Sequence, residues 1–222
     1  MTTPDEGERP RVVGLIAAGG SGERLGADGP KAFTVLAGRP MVEWSHDVLA
    51  AVCDRVVVAV PAGHEDDGPD RVVGGPCRSD SVRRALEAAP EATVAVIHDA
   101  ARPLVTPELV RSCIDGLDGV DGAVAAAPVS DTVKEANGER MVTRTLDRAS
   151  LWAIQTPQVF RADALRRAVE VDEAVLAAAT DDSSLVEAAG GAVRLVEAPR
   201  ENFKVTTALD LRVAEAILAD RC

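Results

Sequence analysis

The sequence predicts an α/β fold, in which a mostly parallel sheet carries helices on both of its faces. Two observations predict it. Short apolar runs alternate with amphipathic stretches along the chain, and hydrophobic residues make up 46% of the 222 residues, enough for a substantial core. Such alternation is typical of βαβ units. We therefore expect a single domain over residues 1–222, with ligands bound beyond the carboxyl ends of the strands.

The elements follow from hydrophobic periodicity. Candidate buried strands lie at 12–17, 55–60, 93–98, 122–127 and 192–197. Helical patterns lie near 40–52, 79–89, 107–116, 161–178 and 206–219. Residues 61–76 are rich in Gly and Pro, and we interpret them as a loop that contains a short strand.

Residues at about 131–150 interrupt the alternation and predict a projecting β-hairpin arm. Asn137-Gly138 is a strong signal for a two-residue type I′ turn, and Val133 and Met141 flank it among charged residues. An isolated hairpin is marginally stable in water. The arm should therefore pack on another surface, such as a second subunit, although a simple surface excursion is the alternative.

Composition excludes several classes of function. A formal net charge of −12 and an aromatic content of 2% argue against nucleic-acid binding. No apolar run approaches the roughly 18 residues of a membrane span, and the polar N-terminus lacks the features of a secretory signal, so we expect a cytoplasmic protein. The four cysteines form no CxxC pair and should be free thiols, while the three histidines form no zinc-binding cluster.

The first strand runs into a glycine-rich turn that could bind phosphates. Glycines allow backbone N–H groups to approach an anion closely, and Arg24 and Lys31 add the positive charge that a triphosphate requires. Leu25 breaks a dinucleotide-binding GxGxxG pattern, and Pro30 before the lysine breaks a Walker A pattern. A purely structural turn is the alternative. The candidate nucleotide-binding residues here are Ala18, Gly19, Gly20, Ser21 and Gly22.

Asp99 and Arg102 follow the strand candidate 93–98 and form a second cluster. Mg²⁺ favours one or two carboxylates together with ligand phosphates, so Asp99 is a candidate metal ligand or ribose contact. Arg102 could hold a phosphate. The alternative is a capping aspartate beside a salt-bridged arginine. His98 is expected to pack or to form hydrogen bonds rather than to bind a metal.

Three further segments carry polar residues at element ends. Gly75 and Ser81 lie where a Gly-Gly turn enters a helix, a position that suits either capping or the binding of an anion or a base edge. Lys204 precedes the last helix, where the helix dipole does not favour a lysine, and this indicates a ligand role. Thr206 or Thr207 could cap that helix. The hairpin root contributes Asp131, Thr132 and Arg148.

Together these segments resemble one family, 2-C-methyl-D-erythritol 4-phosphate cytidylyltransferase of the non-mevalonate isoprenoid pathway. The resemblance covers about residues 12–219, and several ordered matches are more specific than any one of them. The matching segments are GSGERLGADGPKAF, GGPCRSDSV, VIHDAARP, APVSDTVK, RTLDRASLWAIQTPQVF, TDDSSLVEAAGG and ENFKVTTALDL.

The resemblance implies a Rossmann-like fold of the nucleotide-diphospho-sugar transferase type, with CTP as co-substrate and Mg²⁺ as cofactor. It implies catalytic roles for Arg24, Lys31, Arg148 and Lys204. Ser81 and the backbone near Gly75 would recognise cytosine and ribose, and Asp99 would support Mg²⁺. The acceptor, a small sugar-alcohol phosphate, would contact Arg102, Asp131, Thr132, Arg148 and Thr206. Similar enzymes are homodimers whose arms embrace, so Arg148 is expected to act in the partner's site.

The sequence departs from the family pattern at two places. Ala17-Ala18-Gly19-Gly20 replaces the usual Pro-Ala-Ala-Gly, which should loosen the loop, and Pro76 occupies a position that is often polar. Four alternatives stay open: a ribitol 5-phosphate cytidylyltransferase, a non-catalytic nucleotide-binding module of the same fold, a more remote sister enzyme that uses another nucleotide or sugar, and a dinucleotide-dependent oxidoreductase. The broken GxGxxG argues against the last, and the retained Lys31 and Asp99 argue against the second.

Overall fold

The computed structural model describes residues 10–20, 29–65, 68 and 70–221. The strands are β1 (Val12–Ala17), β2 (Val35–Leu36), β3 (Arg39–Pro40), β4 (Arg55–Val60), β5 (Arg71–Val73), β6 (Val94–Asp99), β7 (Gly122–Pro128), β8 (Lys134–Ala136), β9 (Val142–Thr145), β10 (Trp152–Arg161) and β11 (Val193–Glu197). The helices are α1 (Met41–Ala50), α2 (Arg78–Glu87), α3 (Pro107–Asp115), α4 (Ala162–Val169), α5 (Glu173–Ala178), α6 (Asp182–Ala188) and α7 (Ala208–Arg221).

Within the described residues, seven strands form the main sheet in the order β11-β7-β10-β6-β1-β4-β5. All neighbouring pairs are parallel except those of β10, which runs antiparallel to both β6 and β7. This topology confirms the predicted mostly parallel α/β fold. The carboxyl ends of β1, β4 and β6 lie at one edge of the sheet, where the predicted ligand-binding segments begin.

Side chains of the central strands alternate between two hydrophobic cores, one on each face of the sheet. In β1, Val13 and Leu15 belong to the core that packs against α2 and α4, while Ile16 belongs to the core that packs against α1 and α3. Gly14 lets α1 approach the sheet, because a Cβ atom there would lie 2.9 Å from Cδ2 of Leu49. The two buried faces explain why the strand sequences are almost continuously apolar.

The sequence pattern located six strands of the main sheet, including β5 as the short strand within 61–76, but missed β10 and α6. β10 carries Gln155, Thr156, Pro157 and Gln158 in its interior, and a proline there argues against a central strand. The structure accommodates the proline at an irregularity, where the register with β7 shifts between Ile154 and Gln158. The predicted helix at 161–178 is also wrong as one element, because it divides into α4 and α5.

The predicted arm is present as the hairpin β8–β9, whose strands are exposed along their whole length. The predicted two-residue type I′ turn is wrong. The N–H of Arg140 donates to the carbonyl of Asn137, and the left-handed residue is Arg140, with φ 63°. Together with the N–H of Asn137 donating to Met141 O, this makes a three-residue loop. The side chain of Asn137 accepts hydrogen bonds from two loop N–H groups, which stabilises the longer loop.

Among the described residues, no helix is both long and apolar enough to cross a membrane. Cys53, Cys77 and Cys113 are free thiols, as expected. Cys222 lies outside the described residues.

Candidate active site

Two adjoining cavities lie at the carboxyl edge of the sheet. The first is bounded by the turn after β1, by the entrance to α2 and by the end of β6. The second lies beside β10 and the start of α6. Arg78, Asp99 and Lys204 line both cavities, so these three charged side chains form the junction between them.

The structure brings most of the predicted nucleotide-binding residues into the first cavity. Its lining includes Ala18, Gly19, Gly20, Lys31, Gly75, Ser81, Asp99 and Lys204. These residues come from five separate parts of the chain. The other predicted members of the loop, Ser21, Gly22 and Arg24, lie outside the described residues.

Asp99 is the centre of an ion-pair network at the junction. Its Oδ1 accepts a hydrogen bond from Arg78 Nε at 2.8 Å, and its Oδ2 accepts one from Lys204 Nζ at 2.6 Å. Burial alone would raise the pKa of Asp99, but the charges of Arg78 and Lys204 outweigh it and hold the pKa well below its usual range. Asp99 is therefore a carboxylate at every pH at which the protein would work.

A second carboxylate completes this network. Asp182, the first residue of α6, has a fully buried side chain whose Oδ2 accepts a hydrogen bond from Arg78 Nη1 at 2.5 Å. Burial raises the pKa of Asp182, although Arg78 acts in the opposite direction. Burial alone would lower the pKa of Arg78, but the two carboxylates raise it above its ordinary value, so the guanidinium stays charged.

The second cavity is lined by polar and apolar side chains, and one of its cations, Arg102, is buried. Arg102 is 9% exposed, and its Nη1 donates to the carbonyl of Asn202 at 2.8 Å. Its Nε is buried and has no hydrogen-bond partner among the described residues. Hydroxyl and amide groups line part of the cavity and belong to Gln155, Thr156, Gln158, Thr180, Ser183 and Ser184. The carboxylates of Asp181 and Glu187 and the apolar side chains of Val124, Ile154, Val193 and Leu195 complete the lining.

His98 lies beneath the junction and forms hydrogen bonds that hold both sides of it. Its Nδ1 accepts the hydroxyl hydrogen of Thr156 at 3.1 Å, while its Nε2 donates to the carbonyl of Arg102 at 3.1 Å. Thr156 Oγ1 in turn accepts the backbone N–H of Asp99 at 3.1 Å. This arrangement requires a neutral imidazole protonated at Nε2. The expectation that His98 forms hydrogen bonds is confirmed.

The burial of His98 leads to a specific prediction of how the free energy of unfolding changes with pH. Burial lowers its pKa from 6.5 to about 4, so between those values the unfolded chain takes up a proton that the folded chain does not. The neutral imidazole of His98 makes its full contribution to the free energy of unfolding above pH 6.5. This contribution is lost as the pH falls toward 4, by up to about 3 kcal/mol. Urea unfolding in EDTA buffer should show a shallower acid decline for His98→Gln than for the wild type. Parallel declines for the two proteins would contradict this assignment.

Ser81 and Asp80 shape the turn at the entrance to α2. Ser81 Oγ accepts the N–H of Gly75 at 3.0 Å and donates to the carbonyl of Cys77 at 3.0 Å. A Cβ atom on Gly75 would lie 1.8 Å from Asp80 Oδ2, so only glycine fits there. The Ser81 hydroxyl thus holds the turn in place, and its contact with cytosine or ribose stays a prediction.

The predicted residues of the hairpin root lie away from both cavities of the described chain. Asp131, Thr132 and Arg148 are exposed, and Arg148 Nη1 donates to the carbonyl of Ser130 at 2.6 Å. Thr206 lies next to α7, where its N–H and hydroxyl both donate to Asp210 Oδ2 at 2.8 Å. The cap of α7 is instead Thr207, whose Oγ1 accepts the N–H of Asp210 at 3.2 Å, and a contact of Thr206 with a substrate stays a prediction.

Sequence reasoning missed Arg78, Asp182, Gln155 and Asn202. A signal for Arg78 was available, because an arginine in the first turn of a helix opposes the helix dipole and needs another reason to be there. Nothing comparable marks the other three. Asp182 is typical of an ordinary N-terminal helix residue, and Gln155 and Asn202 meet only through the fold, where Asn202 Nδ2 donates to Gln155 Oε1 at 2.7 Å.

Comparisons with known proteins point to one family. Residues 12–220 match the family model described as IspD: 2-C-methyl-D-erythritol 4-phosphate cytidylyltransferase. A cytidylyltransferase of that name from Deinococcus radiodurans is 46% identical over 211 residues, covering 94% of this chain and 90% of the relative. One from Nocardia farcinica is 46% identical over 222 residues, covering 95% of each.

Solved structures show the same similarity. The crystal structure of 2-C-methyl-D-erythritol 4-phosphate cytidylyltransferase from Thermus thermophilus matches with a TM-score of 0.79 and 34% identity, covering 93% of this chain and 98% of that one. The 4-diphosphocytidyl-2C-methyl-D-erythritol synthase from Anaerococcus prevotii matches with a TM-score of 0.80 and 28% identity, covering 95% and 99%.

Proposed function

This chain belongs to the 2-C-methyl-D-erythritol 4-phosphate cytidylyltransferase family, and on that premise we propose that it transfers CMP from CTP to 2-C-methyl-D-erythritol 4-phosphate. The products are 4-diphosphocytidyl-2-C-methyl-D-erythritol and pyrophosphate, and the reaction belongs to isoprenoid precursor biosynthesis. The observation that carries the proposal is the junction of Arg78, Asp99 and Lys204, which joins two cavities suited to two phosphorylated substrates.

We assign CTP to the first cavity. The backbone from Ala18 to Gly20 leaves β1 at the carboxyl edge of the sheet, where backbone N–H groups can meet phosphates. Lys31 contributes positive charge to the same cavity. The turn at Gly75, held by Ser81, also lines this cavity and is available to the nucleoside.

We assign the acceptor to the second cavity. Arg102 lines this cavity with a largely buried guanidinium, a group that suits a phosphate oxygen. The surrounding hydroxyl and amide groups suit a polyol. An acceptor held by Arg102 at its phosphate would have that group next to the junction, because Arg102 and Asp99 line the same cavity.

The charges of the site account for the mechanism. One oxygen of the acceptor phosphate attacks the α-phosphorus of CTP, a new P–O bond forms, and the bond to the β-phosphate breaks with pyrophosphate as the leaving group. A phosphate monoester is largely ionised near pH 7, since its second pKa is about 6, so no protein base has to remove a proton. Lys31 and Lys204 stabilise the negative charge that develops at the α-phosphate, and the cavities hold the reacting groups in line.

We propose that Asp99, whose two oxygens also pair with Arg78 and Lys204, supports Mg²⁺. The described residues contain no cluster of three or more His, Cys, Asp or Glu side chains, so a site built only from protein ligands is not available among them. Mg²⁺ commonly uses one or two carboxylates with substrate phosphates, and Asp99 is an ionised carboxylate beside the proposed phosphate position. When bound, the ion would neutralise phosphate charge.

We also propose a homodimer formed through the hairpin arm, in the cytoplasm. β8 and β9 are exposed on the single chain, and Met141 and Val142 at the tip are 63% and 60% exposed. Apolar side chains on an isolated hairpin favour a partner surface. Arg148 lines neither of the two cavities described above, and in a dimer it would complete the partner's acceptor site.

Mixed dimers test the role of Arg148. Dimers that combine an Arg148→Ala subunit with a Lys31→Ala subunit should regain about half of the wild-type turnover per dimer, because one of the two sites then holds both intact side chains. Each variant alone should be nearly inactive. Two affinity tags allow the heterodimer to be isolated from co-expressed subunits. A heterodimer as inactive as its parents would show that Arg148 acts within its own subunit.

Pyrophosphate release tests the function itself. The purified protein is incubated with CTP and Mg²⁺, and methylerythritol phosphate and ribitol 5-phosphate are offered in parallel. Release with the first acceptor is expected. Release mainly with the second would overturn the substrate, and CTP binding without release with either would favour a non-catalytic nucleotide-binding module.

A further inference from the structure

We infer that Asp182 is a positioning residue, which holds Arg78 and through it orients Asp99 at the junction of the two cavities. Asp182 lines neither cavity, so it acts through Arg78 rather than on a substrate. The inference rests on the proposed function, because it assigns a new contributor to the same site.

Three side chains from three elements are connected by hydrogen bonds. The guanidinium of Arg78 donates from Nη1 to Asp182 Oδ2 at 2.5 Å and from Nε to Asp99 Oδ1 at 2.8 Å. Arg78 begins α2, Asp99 ends β6 and Asp182 begins α6. Because the guanidinium is planar and rigid, fixing one edge of it on Asp182 also fixes the direction from which Nε meets Asp99.

The helix dipole favours an acidic residue at the start of α6, but it does not require that the carboxylate be fully buried. Asp182 is fully buried, and its Oδ1 has no partner among the described residues. A buried ion pair often contributes little compared with apolar side chains of similar volume, and an unpaired carboxylate oxygen adds a further cost. The contact that Asp182 does make is with Arg78, so the positioning of that guanidinium is what the buried charge provides.

Fixing Arg78 also determines which carboxylate each cation of the site pairs with. The network contains two carboxylates and two cations, and Lys204 pairs with the other oxygen of Asp99. With Asp182 in place, Nη1 of Arg78 is occupied and does not turn toward the nucleotide phosphates. Without Asp182, Arg78 is free to rotate, and the carboxylate of Asp99 loses its fixed direction. The expected loss is therefore in kcat rather than in CTP affinity.

A double-mutant cycle tests this inference. Asp182→Asn should lower kcat about 10- to 100-fold, as losing a residue that orients a ligand commonly does. The Kd of CTP, titrated without acceptor, should change by no more than about twofold. If Asp182 acts through Arg78, the kcat of the double variant Asp182→Asn/Arg78→Met should equal that of Arg78→Met alone within about twofold. The reason is that the effects of two residues that act through the same contact do not add. A purely structural role for Asp182 would make the two losses multiply.

Matched variants keep the test decisive. Asp70→Asn removes another arginine-paired aspartate, whose Oδ1 accepts from Arg55 Nη2 at 2.7 Å at the amino end of β4, and should leave kcat unchanged. Asp182→Glu retains the charge and should recover part of kcat even if Asp182→Asn lowers the melting temperature. The wild-type protein is tested in the same assay. If it turns over, the proposed function stands, and a negative result for Asp182→Asn counts against this inference alone. Wild-type kcat in Asp182→Asn, or multiplicative losses in the double variant, would overturn it.

Discussion

Replacing Lys204 with methionine should lower kcat about 100- to 1,000-fold while the protein remains folded. Lys204 lines both cavities, and its Nζ lies 2.6 Å from Asp99 Oδ2. It is therefore the lysine that can approach both the acceptor phosphate and the α-phosphate of CTP. Removing one preorganised electrostatic group from an active site costs roughly 3–4 kcal/mol of transition-state stabilisation, which gives this range.

Steady-state turnover at saturating CTP and acceptor provides the measurement. Methionine keeps the length and the apolar stem of the side chain, so Asp99 loses a charge partner without a large cavity being created. Arg212→Met is a suitable control, because it removes one exposed positive charge from the helix that follows, α7, outside both cavities. A Lys204→Met variant that retains turnover within about threefold of the control would remove this lysine from the mechanism.

Replacing Lys31 with alanine should have a loss of similar size, again mainly in kcat. The backbone N–H of Lys31 donates to the carbonyl of Gly20 at 2.9 Å, and alanine preserves that hydrogen bond and therefore the turn. The side chain, which lines the first cavity, is what the substitution removes. If Lys31 stabilises the charge that grows on the α-phosphate, kcat falls about 100- to 1,000-fold while CTP binding changes much less.

Lys31→Arg tests whether turnover depends only on the positive charge at this position or also on the shape of the charged group. Arginine keeps a positive charge but presents it as a planar fork instead of a compact ammonium group, so intermediate turnover is expected. The Kd of CTP, measured without acceptor, completes the comparison. If Lys31→Ala weakens CTP binding as much as it lowers kcat/KM, then Lys31 contributes to ground-state binding and not to catalysis.

Much of the main sheet could be predicted because its central strands are buried on both faces. Runs such as 12–17 and 55–60 must be apolar at nearly every position, and their observed bounds are Val12–Ala17 and Arg55–Val60. β10 could not be predicted in the same way, because its middle residues line the second cavity as well as packing in the core. Gln155 and Thr156 are buried, yet they are polar because they bind Asn202, His98 and the backbone of Asp99.

The sequence by itself determined the α/β class and singled out Lys31, Asp99 and Lys204 as candidate site residues, because each of these is a local pattern at the end of an element. Only the tertiary structure decided which charges meet. Asp182 lies 104 residues from Arg78, and Lys204 lies 105 residues from Asp99. No local pattern encodes such pairs, because the strand order of the sheet is what places β6, α2 and α6 at one edge.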